Sequence, residues 1–420
     1  MTRALVNKIL ITLAFLFAYR ILAYITVPGV DVGVIKSIIS QHSDGILGLF
    51  NMFNGNAVER FSIISLGIMP YITASIIMEL LSATFAGLAK MKKERDGMQK
   101  YMQIIRYVTI VITIIQAISV SIGLGSVQEG SRPAVTLDIP TFMCIAVFSM
   151  LTGTMLLMWI GEQITQRGVG NGISLIIFAG IVSGIPSVIQ TLFELVNTDQ
   201  INIFVFLGLI AVVVLTVLAI IMVELSERRV QVSYARKVIM QNQNKRIMNY
   251  IPIKINLSGV IPPIFASAIL VFPSTLLNSA SSNDVVREIA VILSPNGYYY
   301  NALMFLLVVF FAYFYSSIVF NSKDIADNLK RQGGFIPGMR PGESTAAFLN
   351  GVASNLTLWG SLYLAIVSTL PWLIVKATGI QFYFGGTAVL IVVQVAIDTM
   401  RKIEAQIYMN KYKTLSAVNL

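Results

Sequence analysis

One cysteine (Cys144) and one histidine (His42) occur in 420 residues, so the chain is poor in metal- and thiol-based chemistry. A lone cysteine excludes an intrachain disulfide, and with a lone histidine it leaves no Cys/His metal constellation. Charge is scarce as well: 12% of residues are charged while 56% are hydrophobic. A water-soluble domain carries roughly twice that charged fraction. With a mean hydropathy of +0.77, lipid must be the main solvent. No stretch is long or polar enough to form a separate soluble domain. Catalytic motifs are missing too: there is no Walker A pattern, no His-Glu-x-x-His, and no helpful pairing of Ser or Asp with a base. ATP hydrolysis therefore falls to a partner, and an intramembrane enzyme is disfavoured.

What the chain has is long apolar runs. A span of bilayer hydrocarbon takes about 20 apolar residues, and candidate spans fall at 8–27, 60–83, 102–124, 141–160, 171–192, 201–223, 257–277, 300–320, 347–374 and 382–400. The first begins like a signal peptide, with Arg3 and Lys8 before an apolar stretch. It runs past Arg20 to Val27 without a clear cleavage site, and is read as a retained span. Of the 30 Lys and Arg residues, all but Arg20, Lys36, Arg60, Arg132, Arg287 and Lys376 lie at the two ends, in alternate gaps, or at the edges of those gaps. Basic side chains stay on the cytoplasmic face during insertion, so both termini are expected in the cytoplasm. The net charge of +10 is read mainly as a topology signal, not a nucleic-acid surface. Glu79, Glu224 and Asp398 fall near inner span ends, leaving the expected midplane nearly empty of carboxylates. An ion-coupled secondary transporter, the alternative reading, would place a titratable group there.

Two inner gaps are long. Residues 224–256 hold Arg228, Arg229, Arg236, Lys237, Lys245, Arg246 and Lys254, and 321–346 contain GGFIPGMRPGE. Loops of that length usually have a task, and docking of a cytoplasmic partner competes with a plain topology role. Segment 44–55, DGILGLFNMFNG, is apolar but too short to span. Ile46, Leu49, Phe50 and Phe53 follow helical spacing. The segment must rest on the outer surface or fold back inward, and composition slightly favours the surface.

Several stretches resemble the SecY family of protein-conducting channels: LGIMPYITASII at 66–77, GEQITQRGVGNGIS at 161–174, GVIPPIFASAI at 259–269, ADNLKRQGGFIPGMRPGE at 326–343 and FYFGGTAVLIVV at 382–393. They occur in order, over nearly the whole chain. The resemblance implies an all-α polytopic membrane protein of the plasma (inner) membrane. Its ten transmembrane helices would form two pseudo-symmetric five-helix halves, residues 1–192 and 201–420, joined by an outer hinge loop at 193–200. They would surround a central hourglass pore.

The resemblance also implies a pore ring of Ile68, Ile72, Ile173, Ile177, Ile264 and Ile391. The pairs 68/72 and 173/177 are four apart and stack on one helix face. It makes 44–55 a re-entrant plug rather than a surface helix, with Arg60 in its trailing hinge. It assigns Thr73, Gln116 and Asn256 to a lateral gate between spans two/three and seven/eight. Uncharged interhelical hydrogen bonds contribute about 0.6–2 kcal/mol each in membranes, weak enough to break on opening. Arg340 is the expected docking residue, with the basic residues of 224–256 beside it. The implied partners are the SecE and SecG subunits, the SecA ATPase, the ribosome, signal peptides, nascent or unfolded preproteins, and membrane lipid. No cofactor is implied.

Overall fold

The structure, a computed structural model, describes residues 3–41, 51, 54–125, 128–129, 132–198, 202–234, 249–279, 297–378 and 386–418. Among them the first helices are α1 (Arg3–Leu22), α2 (Val32–Gln41), α3 (Met69–Thr84), α4 (Ala86–Lys93) and α5 (Arg95–Gly125). A short hairpin, β1 (Gln128–Glu129) and β2 (Arg132–Pro133), leads to α6 (Ile139–Arg167), α7 (Gly172–Asn197) and α8 (Ile203–Leu225). Then come β3 (Glu227–Tyr234), β4 (Asn249–Lys254), α9 (Ile261–Ser279), α10 (Tyr298–Val319) and α11 (Ser322–Arg331). β5 (Gly334–Phe335), α12 (Glu343–Thr378) and α13 (Gly386–Val418) complete the order.

Every expected span falls on one of these helices. Among the described residues, seven helices are long and apolar enough to cross a membrane, or eight if the bent pair α3 and α4 counts as one span. Their outer faces expose large apolar side chains such as Phe204, Leu215 and Met222 on α8. That is the expected surface where lipid replaces water as solvent. The buried cluster runs through the bundle centre, from Ile64 and Ile72 to Ile176, Leu364 and Ile391.

Helix ends depart from the hydropathy in two places. The second span, expected from residue 60, starts as helix only at Met69. Asn56, Phe61 and Gly67 adopt φ of 63°, 44° and 59°, which no right-handed helix accommodates. Pro70 then falls in the first turn, where its missing N–H costs nothing. The first span, expected to reach residue 27, leaves the helix after Leu22. Backbone bonds from Val27 N to Phe61 O (3.0 Å) and from Ile63 N to Ile25 O (2.9 Å) hold that exit.

α9 is the crossing element. It packs against α10 on one side and against α5 and α3 on the other, while α13 packs against α7, α8 and α12. At the end of α3 the chain turns by 115° into α4, at Phe85 in an extended conformation. Lys92 Nζ reaches back to Glu79 Oε1 at 2.8 Å across that bend.

The two long loops share one three-stranded sheet in the order β4-β3-β5. β3 pairs antiparallel with β4, Glu227 opposite Lys254, and with β5, Ser233 opposite Phe335. Val230, Ile253, Ile336 and Leu349 form a small core beneath it. This marks one pole of the bundle as the sheet end. The expected hinge at 193–200 overlaps the last turn of α7, and α8 resumes at Ile203.

Candidate functional site

Four helices bring five of the expected ring residues to one place. Ile68, Ile72, Ile177, Ile264 and Ile391 line a common cavity with Asn54, Met69 and Ser267. The local sequence explains the convergence. Gly67, with φ of 59°, turns the chain into α3, and a Cβ there would collide with Asn54. Asn171 caps α7 by accepting from Ile173 N at 3.2 Å. Gly172 lies directly on the Gly161 backbone, so α7 crosses α6 at close range. Pro262 and Pro263 sit in the first turn of α9.

The waist is tight. Its free volume is about 10 Å³, at the lower edge of the about 10–15 Å³ that one water needs. Six of its eight lining side chains are apolar, and the two polar ones are engaged elsewhere, Asn54 Nδ2 on Ser65 O and Ser267 Oγ on Ile264 O, so the constriction resists wetting and opposes ion passage. Towards the sheet end, α7, α9 and α13 spread around a polar cavity of about 190 Å³ whose lining includes Asn171, Ser174, Ser258, Asp398 and Lys402. A polar cavity thus lies on the sheet side of a narrow isoleucine-lined neck.

The sixth ring residue, Ile173, is not in the waist lining. It is partly buried on α7 and packs towards α6, 3.1 Å from where a Cβ on Gly161 would lie. It sits one turn before Ile177, near the start of α7, and five of the six expected isoleucines border this cavity. Ser267 and Met69 were missed by the sequence reading. Ser267 lies three residues after Ile264, a spacing that puts both on one face. Asn54 gave no such signal, because it lies outside every span.

The expected plug residues Ile46, Leu49, Phe50 and Phe53 lie outside the described residues. Residues 54 and 55, just after them, are fastened firmly. Tyr19 Oη donates to Asn54 O at 3.3 Å, and Arg20 Nη1 donates to Gly55 O at 3.0 Å and to Ser183 Oγ at 2.9 Å. Asn54 Nδ2 donates to Ser65 O at 2.6 Å. Arg20, a charge within the first span, thus ties α1 to α7 and residue 55. Arg60 stacks on Tyr24, 4.0 Å from the ring centroid.

Of the three expected gate residues, two lie on helices that α9 crosses. Thr73 on α3 is buried and donates to Met69 O at 3.0 Å. Gln116 on α5 is buried, with its Oε1 unpaired among the described residues. Asn256 is elsewhere. It precedes α9 at the sheet end, where its Nδ2 donates to Glu224 Oε1 at 2.6 Å. A buried carboxylate draws an amide strongly, and that long-range partner outweighed the proximity in sequence to α9. On α9 itself the polar side chain that reaches the waist is Ser267.

Among the expected docking residues, Arg228 and Arg229 on β3 and Arg340 before α12 are exposed. Arg229 Nε donates to Glu227 Oε1 at 2.9 Å, a bond that raises its already high pKa. Arg340 forms no ion pair among the described residues; its carbonyl accepts from Thr345 Oγ1 at 2.9 Å. Arg236, Lys237, Lys245 and Arg246 lie outside the described residues.

Comparison with known proteins points the same way. The SecY family model matches residues 62–400. The protein translocase subunit SecY of Helicobacter pylori (strain J99) is 73% identical over 418 residues, covering 100% of both chains. That of Pseudomonas aeruginosa is 42% identical over 416 residues, covering 96% of this chain and 92% of its own. Two solved structures share the fold. A protein-conducting channel superposes with a TM-score of 0.67 at 18% identity, covering 96% of this chain and 92% of that one. Sec61 in the canine ribosome-channel complex from the endoplasmic reticulum gives 0.63 at 18% identity, with the same coverage.

Proposed function

The chain belongs to the SecY family, and on that premise we propose that it is the conducting subunit of a preprotein translocase. Unfolded secretory polypeptides pass through the isoleucine waist, and sufficiently apolar helices leave sideways between α3/α5 and α9/α10. The observation that carries this reading is the narrow, mostly isoleucine-lined neck of about 10 Å³ where α3, α7, α9 and α13 meet. Its lining has no ionisable side chain, so the pathway suits passive conduction better than ion-coupled transport.

Residues 1–192 and 201–420 act as two halves hinged at 193–200, and 44–55 serves as the plug above the neck. The sheet end faces the cytoplasm of a bacterial-type inner membrane, together with both termini. There the free Arg340 and the basic face of β3 meet SecA or the ribosome, whose RNA phosphates attract cations. These partners supply the force, and this chain contributes no chemical step. SecE and SecG complete the complex.

The test is route mapping. A precursor stalled in transit should crosslink to photoreactive probes at Ile72, Ile264 and Ile391, and not to a probe at Leu215 on the lipid face. Labelling at Leu215 with silence at the three isoleucines would refute the pathway.

A further inference from the structure

One buried acid has no part in conduction through the neck. Glu224, next to the last residue of α8, is 3% exposed, yet it lines neither the waist nor the polar cavity. A buried carboxylate persists only where donors surround it, and here they come from two other elements. Asn256 Nδ2, between β4 and α9, donates to Oε1 at 2.6 Å. Gln394 on α13, its amide oriented to satisfy its neighbours, donates Nε2 to both carboxylate oxygens at 2.7 and 2.6 Å. Further along α13, Arg401 Nη2 donates to the Glu224 carbonyl at 3.4 Å.

Asn256 is itself held rigidly. The same amide donates to Gly259 O at 3.1 Å, and Ser258 Oγ donates to Asn256 Oδ1 at 3.2 Å. Gly259, with φ of 65°, then turns the chain into α9. Glu224 therefore controls where α9 begins. That helix crosses to α3 and α5 and carries Ile264 and Ser267 at the waist. Gln394 lies one helical turn from Ile391, so both contacts of the acid lead to the neck.

We infer that Glu224 is a positioning residue for the lateral gate: it clamps the start of α9 and the middle of α13 to the end of α8, and so holds the seam closed. The three elements all belong to the 201–420 half, so the clamp resists α9 leaving α8 and α13, and an opening in which α9 swings away from its own half means breaking charge-assisted bonds. The clamp thereby sets how tightly a signal helix must bind before the open state dominates. The inference rests on the translocation reading above.

The experiment measures export by the complete translocase of two precursors, one with an intact signal peptide and one with a charge placed in its apolar core. Glu224→Ala and Asn256→Ala should raise the defective-to-intact export ratio about tenfold. Glu224→Gln keeps one carbonyl oxygen for Asn256 but sets an amide against Gln394, so its ratio should lie between. Glu94→Gln, which removes only an exposed pair with Lys90 at 3.9 Å, should leave the ratio unchanged. Should Glu224→Ala fail to assemble, Asn256→Ala leaves the acid in place and carries the same expectation. A parental ratio in assembled Asn256→Ala and Glu224→Gln channels would overturn the clamp, even if total export fell. No export of the intact precursor by the parent chain would instead overturn the translocation reading.

Discussion

Isoleucine at the neck does what no polar residue of similar size could do. Its branched hydrocarbon fills space without offering a hydrogen bond, so neither water nor a passing backbone is retained. Ile72 and Ile177 are each 7% exposed, and the space they border is at the threshold for a single water. Unlike Asn54, whose Nδ2 is spent on Ser65 O, an asparagine in place of a ring isoleucine would present free amide groups to the neck and favour wetting. Ile72→Asn and Ile177→Asn should each raise the resting ion conductance of purified channels in planar bilayers; unchanged conductance in both would count against the seal. The i, i+4 spacing of Ile68 and Ile72 was legible in sequence because it is a local property of one helix. The failure of Ile173 to reach the neck was not legible. It depends on how close two glycines, 161 and 172, let α6 and α7 approach.

At the scale of elements, hydropathy located the helices and misplaced their ends. Lipid acts on twenty residues at a time, so a window of apolar composition reports a span regardless of its neighbours. Ends answer to single backbone angles and to distant partners, as at Phe61 with Val27. The β4-β3-β5 sheet was invisible for the same reason, since it joins loops about a hundred residues apart in sequence. The bond from Asn256 to Glu224 was not legible in sequence because its partner belongs to another helix. The sheet gives Arg340 a firm base: β5 joins the adjoining loop to β3, and Thr345 pins the Arg340 carbonyl. Because its guanidinium is exposed and unpaired among the described residues, Arg340→Glu should abolish SecA-driven export while the complex assembles at its normal level on native gels. Undiminished export would remove Arg340 from the docking surface.

For the whole molecule, the proposed lateral exit turns on the contact α9 makes with α3 and α5. Ile72 and Ser267 border the same small cavity from opposite sides of that seam. The chain's single cysteine, Cys144, is exposed and can be replaced to leave a clean background. In a Cys144→Ala chain, Ile72→Cys and Ser267→Cys joined by a short reducible crosslinker should halt both export and membrane insertion. Reduction should restore both, and continued insertion in the linked state would place the exit elsewhere.

The bend at Phe85 has a mechanical consequence. α4 extends at 115° from the foot of α3, tied there by Lys92 to Glu79, and it carries the exposed Lys90. Acyl chains yield readily to a sliding rod, but this keel would plough through anionic headgroups that grip cations. The viscosity and charge of one leaflet would then govern how quickly a client is let go.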